Sequence, residues 1–89
     1  MATLKETIQT RFIGSEFMGE DETATELANI VGSECRCYDA GIDDGVDDDE
    51  TEDSYVMYAS FKFADKPMVV RIYYGDVTEE IGYVEVKGI

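Results

Sequence analysis

Between Asp39 and Asp53 the chain reads DAGIDDGVDDDETED, in which nine of fifteen side chains are carboxylates and none is basic. Carboxylates at that density could chelate a divalent cation, work in pairs as acid and base, or present a field of negative charge to a cationic partner. Chelation needs fixed offsets. A calcium-binding EF-hand loop wants acids at positions one, three and five, Gly at six and Glu at twelve. Counting from Asp39 puts Gly41 at three, Asp43 at five, Asp44 where Gly is required and Glu50 at twelve. Counting from Ala40 aligns Gly45 but loses the first ligand. The flanks also read as strands, where an EF-hand needs helices. Loose, opportunistic divalent binding is what the carboxylates alone would support, and a divalent-cation-binding acidic protein is therefore one alternative reading.

Paired-acid hydrolysis requires two carboxyl groups held at a fixed separation, whereas acids crowded on an exposed loop are solvated. The chain has no His and no Gly-rich phosphate loop, so general acid-base and nucleophilic chemistry have little to work with. No catalytic residue is assigned, and the protein is read as a non-enzyme. Cys35 and Cys37 place two sulfurs on one side of a strand, but a closed zinc site wants four ligands and no other Cys is present. They read as reduced thiols acting as small hydrophobes at the core edge, with no metal site and no cofactor implied.

The third chemistry fits best. The 21 Asp and Glu outnumber seven Lys and Arg, and the resulting net charge of -14 exceeds the magnitude of roughly 2 to 8 that serves solubility in a small domain. Such a surface repels nucleic acid, whose binding proteins displace counterions with Lys and Arg. It can equally imitate nucleic acid. Duplex DNA carries one negative charge per ~1.7 Å of axis, and a row of Asp and Glu can approximate that density before a basic groove. Arg grips carboxylate and phosphate with the same bidentate geometry. The contact set predicted on this basis is Asp43, Asp44, Asp47, Asp48, Asp49, Glu50, Glu52 and Asp53, supplemented by Glu20, Asp21 and Glu22. Tyr38, Tyr55 and Tyr58 are the candidate anchors, because buried Tyr adds contact area at low entropic cost.

These residues need a body to position them. At 89 residues the chain supports one domain, and six Tyr with four Phe supply enough apolar surface to fold it. Thr3 and Glu6 match a capping box, and Leu4, Ile8 and Phe12 form a stripe ending at Gly14, which predicts a helix over 3–13. Glu20, Asp21 and Glu22 suit a helix N-terminus, and Ala24, Leu27, Ala28 and Val31 predict a second helix over 21–31. The acids before it thus have a purely structural explanation as well. Between the helices, Gly14 to Gly19 reads as a connector whose Phe17 tucks under the fold.

Beyond Gly32 the periodicity changes to two. ECRCYDA reads as a strand, followed by an acidic loop at 39–53. Tyr55 to Ala64 alternates most clearly, Met68 to Tyr74 follows a turn at Pro67, and Ile81 to Lys87 closes the set with Val84 and Val86 inward. Helices and strands are segregated, so the predicted fold class is α+β: two N-terminal helices packed on one face of a four-stranded antiparallel sheet. The other face would expose Val56, Tyr58, Val69, Arg71, Tyr73 and Tyr83, a candidate partner surface or homodimer contact. No stretch suits a membrane span or a secretory signal, and the expected location is the cytoplasm.

In size, acidity and α+β build the whole chain resembles the small phage-encoded anti-CRISPR and DNA-mimic inhibitors. The likeness is one of character, since those families share no common signature. It implies an inhibitor lying across the nucleic-acid-reading groove of a basic effector, a CRISPR subunit or a nuclease, in the host-cell cytoplasm, with the acids from Asp43 to Asp53 in the lead. An immunity or antitoxin-like partner of a basic toxin is a reading of the same kind. Neither involves direct nucleic-acid or membrane binding.

Overall fold

In the computed structural model, which describes residues 3–42, 56–76 and 78–88, the chain begins with the capping box read from its sequence. Thr3 Oγ1 accepts from the Glu6 amide at 3.1 Å, and Glu6 Oε1 accepts from the Thr3 amide at 2.9 Å. These bonds satisfy two donors that a helix start leaves without intrahelical partners. Helix α1 then runs from Leu4 to Phe12 and buries Ile8 and Phe12. Helix α2, Glu20–Val31, has glycine at its N-cap and therefore no side-chain cap. Its first-turn Glu20, Asp21 and Glu22 compensate by facing the positive end of the helix dipole. Gly32 ends it in the left-handed region at φ 80°, where glycine carries no side-chain penalty.

Four strands follow: β1 Cys35–Ile42, β2 Val56–Phe63, β3 Val69–Gly75 and β4 Ile81–Lys87. They form one antiparallel sheet in sequence order, the meander that short links between successive strands favour. β1 continues past Ala40, so the acidic stretch starts inside the sheet, where Asp39, Ala40, Gly41 and Ile42 pair with Ser60, Ala59, Tyr58 and Met57. A bulge between Cys37 and Asp39 makes Tyr38 an extra residue and ends the simple alternation of β1.

The core lies between helices and sheet. Ile8 and Phe12 from α1, Ala24 and Leu27 from α2, and Ala59, Phe61, Phe63, Val70, Ile72, Val84 and Val86 from the strands are all buried. Those strand residues are the inward sets that period-two patterning selects. Phe17, in the connector, does tuck under the fold, with its ring stacked on Tyr74 at 4.0 Å between centroids. The connector also hydrogen bonds along β4: the Gly14 amide donates to the Ile81 carbonyl at 2.8 Å, and the Ile81 amide donates to the Ser15 carbonyl at 2.8 Å. Glu16 forms an isolated bridge with Glu80, and Gln9 Nε2 donates to the Val84 carbonyl at 3.0 Å. No helix among the described residues is long and apolar enough to cross a membrane.

Candidate partner-binding site

Register fixes which side chains share an end of the sheet. Ile42, Met57, Tyr74 and Ile81 form one terminal cross-strand row, while Arg36, Lys62, Val69 and Lys87 form a row near the other end. The helices follow the same axis. Phe17, three residues before α2, stacks on Tyr74, whereas Ser33, just after α2, accepts from the Asp65 amide at 3.2 Å in the β2–β3 turn. α2 therefore starts at the Ile42 end and finishes at the Arg36 end. α1 runs the opposite way, since Gln9 meets Val84 and Gly14 meets Ile81.

Charge is segregated along this axis. The Ile42 end gathers Glu16, Glu20, Asp21, Glu22, Asp76, Glu79 and Glu80, all exposed, from the connector, the start of α2 and the β3–β4 turn. Ile42 and Val56, which flank the segment holding eight further acids, stand at that same end. Among the described residues the opposite end carries Lys5, Arg36, Lys62, Lys66 and Lys87, with Glu6, Glu34 and Asp65 and with Glu85 paired to Lys87, while Arg11 in the last turn of α1 pairs with Glu26. The field at the acidic end is felt by Tyr74. Burial pushes its phenol above the ordinary value, and the carboxylates of Glu20, Glu79 and Asp76 push it the same way.

Of the predicted contact set, Glu20, Asp21 and Glu22 are thus gathered at this pole. Asp43, Asp44, Asp47, Asp48, Asp49, Glu50, Glu52, Asp53 and Tyr55 lie outside the described residues. Tyr38 and Tyr58 do not join the pole; they stand on the sheet face opposite the helices, where the Tyr58 hydroxyl donates to Asp39 Oδ2 at 3.3 Å. Glu16, Asp76, Glu79 and Glu80 belong to the pole but were not in the predicted set. Their only sequence signal is charge in a turn and a connector, which is unremarkable until the meander brings both to one end.

The open face is centred on Arg71. Its Nε donates to Ser60 Oγ at 2.7 Å, and its guanidinium carbon lies 4.8 Å from the Tyr58 ring centroid. A hydrogen bond with Tyr73 holds the guanidinium still further above its usual value. Along the strands, three cross-strand rows succeed one another: Arg36, Lys62, Val69 and Lys87; then Asp39, Ser60, Arg71 and Glu85; then Gly41, Tyr58, Tyr73 and Tyr83. Tyr73 and Tyr83 contact each other at 5.7 Å, and Lys62 Nζ stands 5.6 Å over the Tyr38 ring. This face does display Val56, Tyr58, Val69, Arg71, Tyr73 and Tyr83, as alternation in the strands predicts.

Burial holds both thiols towards their less reactive, protonated form. Cys35 and Cys37 are free, half-buried and packed against the core. Burial, reinforced by Cys37, pushes the Cys35 thiol up to about 11 from its ordinary 9.0. At pH 8 it is almost wholly protonated, so alkylation of Cys35 by iodoacetamide should run on the order of a hundred-fold slower than that of free cysteine. The folded state holds its proton more tightly than the unfolded chain. The associated stability is therefore complete below pH 9 and lost between about 9 and 11, which urea denaturation across that window measures. Among the described residues no group of three or more His, Cys, Asp or Glu could hold a metal ion. No protein-family model, curated protein or solved structure matches the chain.

Proposed function

We propose that the protein is a non-enzymatic inhibitor that imitates a polyanion and occupies the nucleic-acid-reading groove of a basic effector, in the manner of anti-CRISPR and DNA-mimic inhibitors. The observation that carries this reading is the segregation of charge. Acids retained for solubility alone would be scattered over the surface. Instead, seven described carboxylates from three separate parts of the chain meet at the end where the 43–53 segment and its eight acids are attached. Repulsion among them costs the compact state stability, and a cationic partner would offset it.

The pole would act first on encounter. A single-signed field raises association rates with a groove lined by Lys and Arg and disfavours partners of the wrong sign. Carboxylates would then take the places of phosphates, with Arg forks engaging them bidentately. Nothing in this scheme breaks or forms a covalent bond.

Immobilising the chain and passing nuclease-treated bacterial lysate over it, with mass identification of what stays, tests the reading. The expected catch is a basic nucleic-acid-binding protein that elutes as salt rises and is displaced by duplex DNA. Retention of a neutral or acidic protein, equally well by a variant carrying Glu20→Gln, Asp21→Asn, Glu22→Gln and amides throughout 43–53, would overturn it.

A further inference from the structure

The row of Arg36, Lys62 and Lys87 on the open sheet face is unexplained by an acidic partner-binding pole. Arg36 and Lys62 sit directly opposite each other across β1 and β2, a like-charge pairing that weakens a sheet. Lys87 is partly answered by Glu85 at 3.6 Å and Lys62 by the Tyr38 ring, but no carboxylate among the described residues makes an ion pair with Arg36 or Lys62. Two rows further along stand Tyr58, Tyr73 and Tyr83, and the exposed large apolar side chains of the face are aromatic: Tyr83 at 52% and Tyr38 at 46%. Apart from Lys62 over Tyr38 and Arg71 against Tyr58, the cations of this face stand at one end and its tyrosines at the other.

We propose that this face is an interface between two copies of the chain, packed sheet against sheet with their strands antiparallel, so that the tyrosine row of each covers the cationic row of the other.

Two aligned twofold arrangements are available to packed sheets. With the axis along the strands, tyrosines would lie on tyrosines and the cationic rows would face one another, a repulsive match. With the axis across the strands, each strand lies over its own copy in the reverse sense; the middle row of Asp39, Ser60, Arg71 and Glu85 then meets its own copy, and Arg71 can reach Glu85 of the second copy on the neighbouring strand. Tyr58 then covers Lys62 of the second copy and Tyr83 covers its Lys87, both cation–π pairings. The same inversion brings the acidic end of each copy beside the basic end of the other. A uniformly anionic partner such as single-stranded nucleic acid gains no such match, because part of it must pass the acidic pole.

Four strands at ~4.8 Å spacing and about seven residues at ~3.3 Å give a footprint of roughly 20 by 20 Å. Two such faces bury about 1,000 Å² in total, at the lower limit for a specific interface, so the dimer should be reversible and micromolar.

Sedimentation equilibrium of the full chain from about 5 to 500 µM should show monomers passing to dimers, with a midpoint in the micromolar range. Lys62→Glu combined with Tyr83→Ser should shift that midpoint at least ten-fold, whereas Met18→Ser, away from this face, should leave it in place. Both substituted side chains are exposed, so the variant folds and its circular dichroism stays unchanged. Zero-length carbodiimide coupling of mixed isotope-labelled and unlabelled chains reads the orientation. Lys62 or Lys87 should join Asp76 or Glu80 between copies, groups about 20 Å apart within one copy. A monomer at every concentration, a dimer indifferent to the double substitution, or links joining only like ends would overturn the proposal. So would saturable binding of a 15-residue oligothymidine that depends on Lys62 and Tyr83.

Discussion

Replacing Asp43, Asp44, Asp47 and Asp48 together by Asn should weaken the proposed complex with a basic nucleic-acid-binding protein by about a hundred-fold or more, while leaving the fold intact. Asn keeps the size and shape of Asp while removing its charge and exchanging one acceptor oxygen for an NH2 donor, so the loss reports the carboxylate and not the shape. Four charges removed from a net -14 also relieve self-repulsion. Thermal stability should therefore hold or rise slightly, which excludes unfolding as the cause of lost binding. The dependence of log Kd on log salt should flatten in parallel, because fewer ionic contacts are made. Titration calorimetry at two or more salt concentrations measures both quantities. Equal affinity for the native chain and the variant would mean that the acids are bystanders.

Phe61→Ala should remove about 3 to 5 kcal/mol of stability, the usual range for deleting a fully buried aromatic side chain. Phe61 is completely buried on the central strand β2, between Cys37 on β1 and Val70 on β3, on the face that the helices cover. A domain of this size has only about 5 to 15 kcal/mol in total, so the variant should be partly unfolded at 37 °C. Urea denaturation followed by circular dichroism would show the midpoint collapse. A loss under about 1 kcal/mol would mean that the helices do not close over the sheet as described. The same measurement on Tyr83→Ser, on the open face, should show little change, which separates the supporting layer from the displayed one.

Much of this architecture was legible in the residues. Thr3 and Glu6 form the capping box that their spacing predicts, and Gly32 stops α2 in the left-handed conformation. Met57, Ala59, Phe61 and Phe63 turn to the helices because strand periodicity leaves no alternative once the aromatic set is inward. Other features were hidden for physical reasons. The bulge at Tyr38 is a matter of pairing between distant strands, and nothing local to CYDA announces it. The Glu16–Glu80 bridge uses backbone groups, which every residue possesses. The acidic pole was visible only as a run at 39–53 and three acids at 20–22. Its extension through Glu16, Asp76, Glu79 and Glu80 depends on the meander, which decides what lies at each end. The cationic row was invisible for the same cause, since Arg36, Lys62 and Lys87 are strangers in sequence and neighbours only in the sheet.

The bonds that tie the connector and Gln9 to β4 bear on what happens if the N-terminus is lost. A final strand with bare peptide groups is a template on which another molecule can add its own strand. In the intact chain Gly14 and Ser15 take up the Ile81 backbone groups and Gln9 takes the Val84 carbonyl, so this flank is shielded. Proteolytic trimming of the first nineteen residues would strip that shield and uncover the apolar underside of the sheet together. The fragment left behind would be expected to stack into insoluble threads, an outcome against which the first helix and its connector would then be a guard.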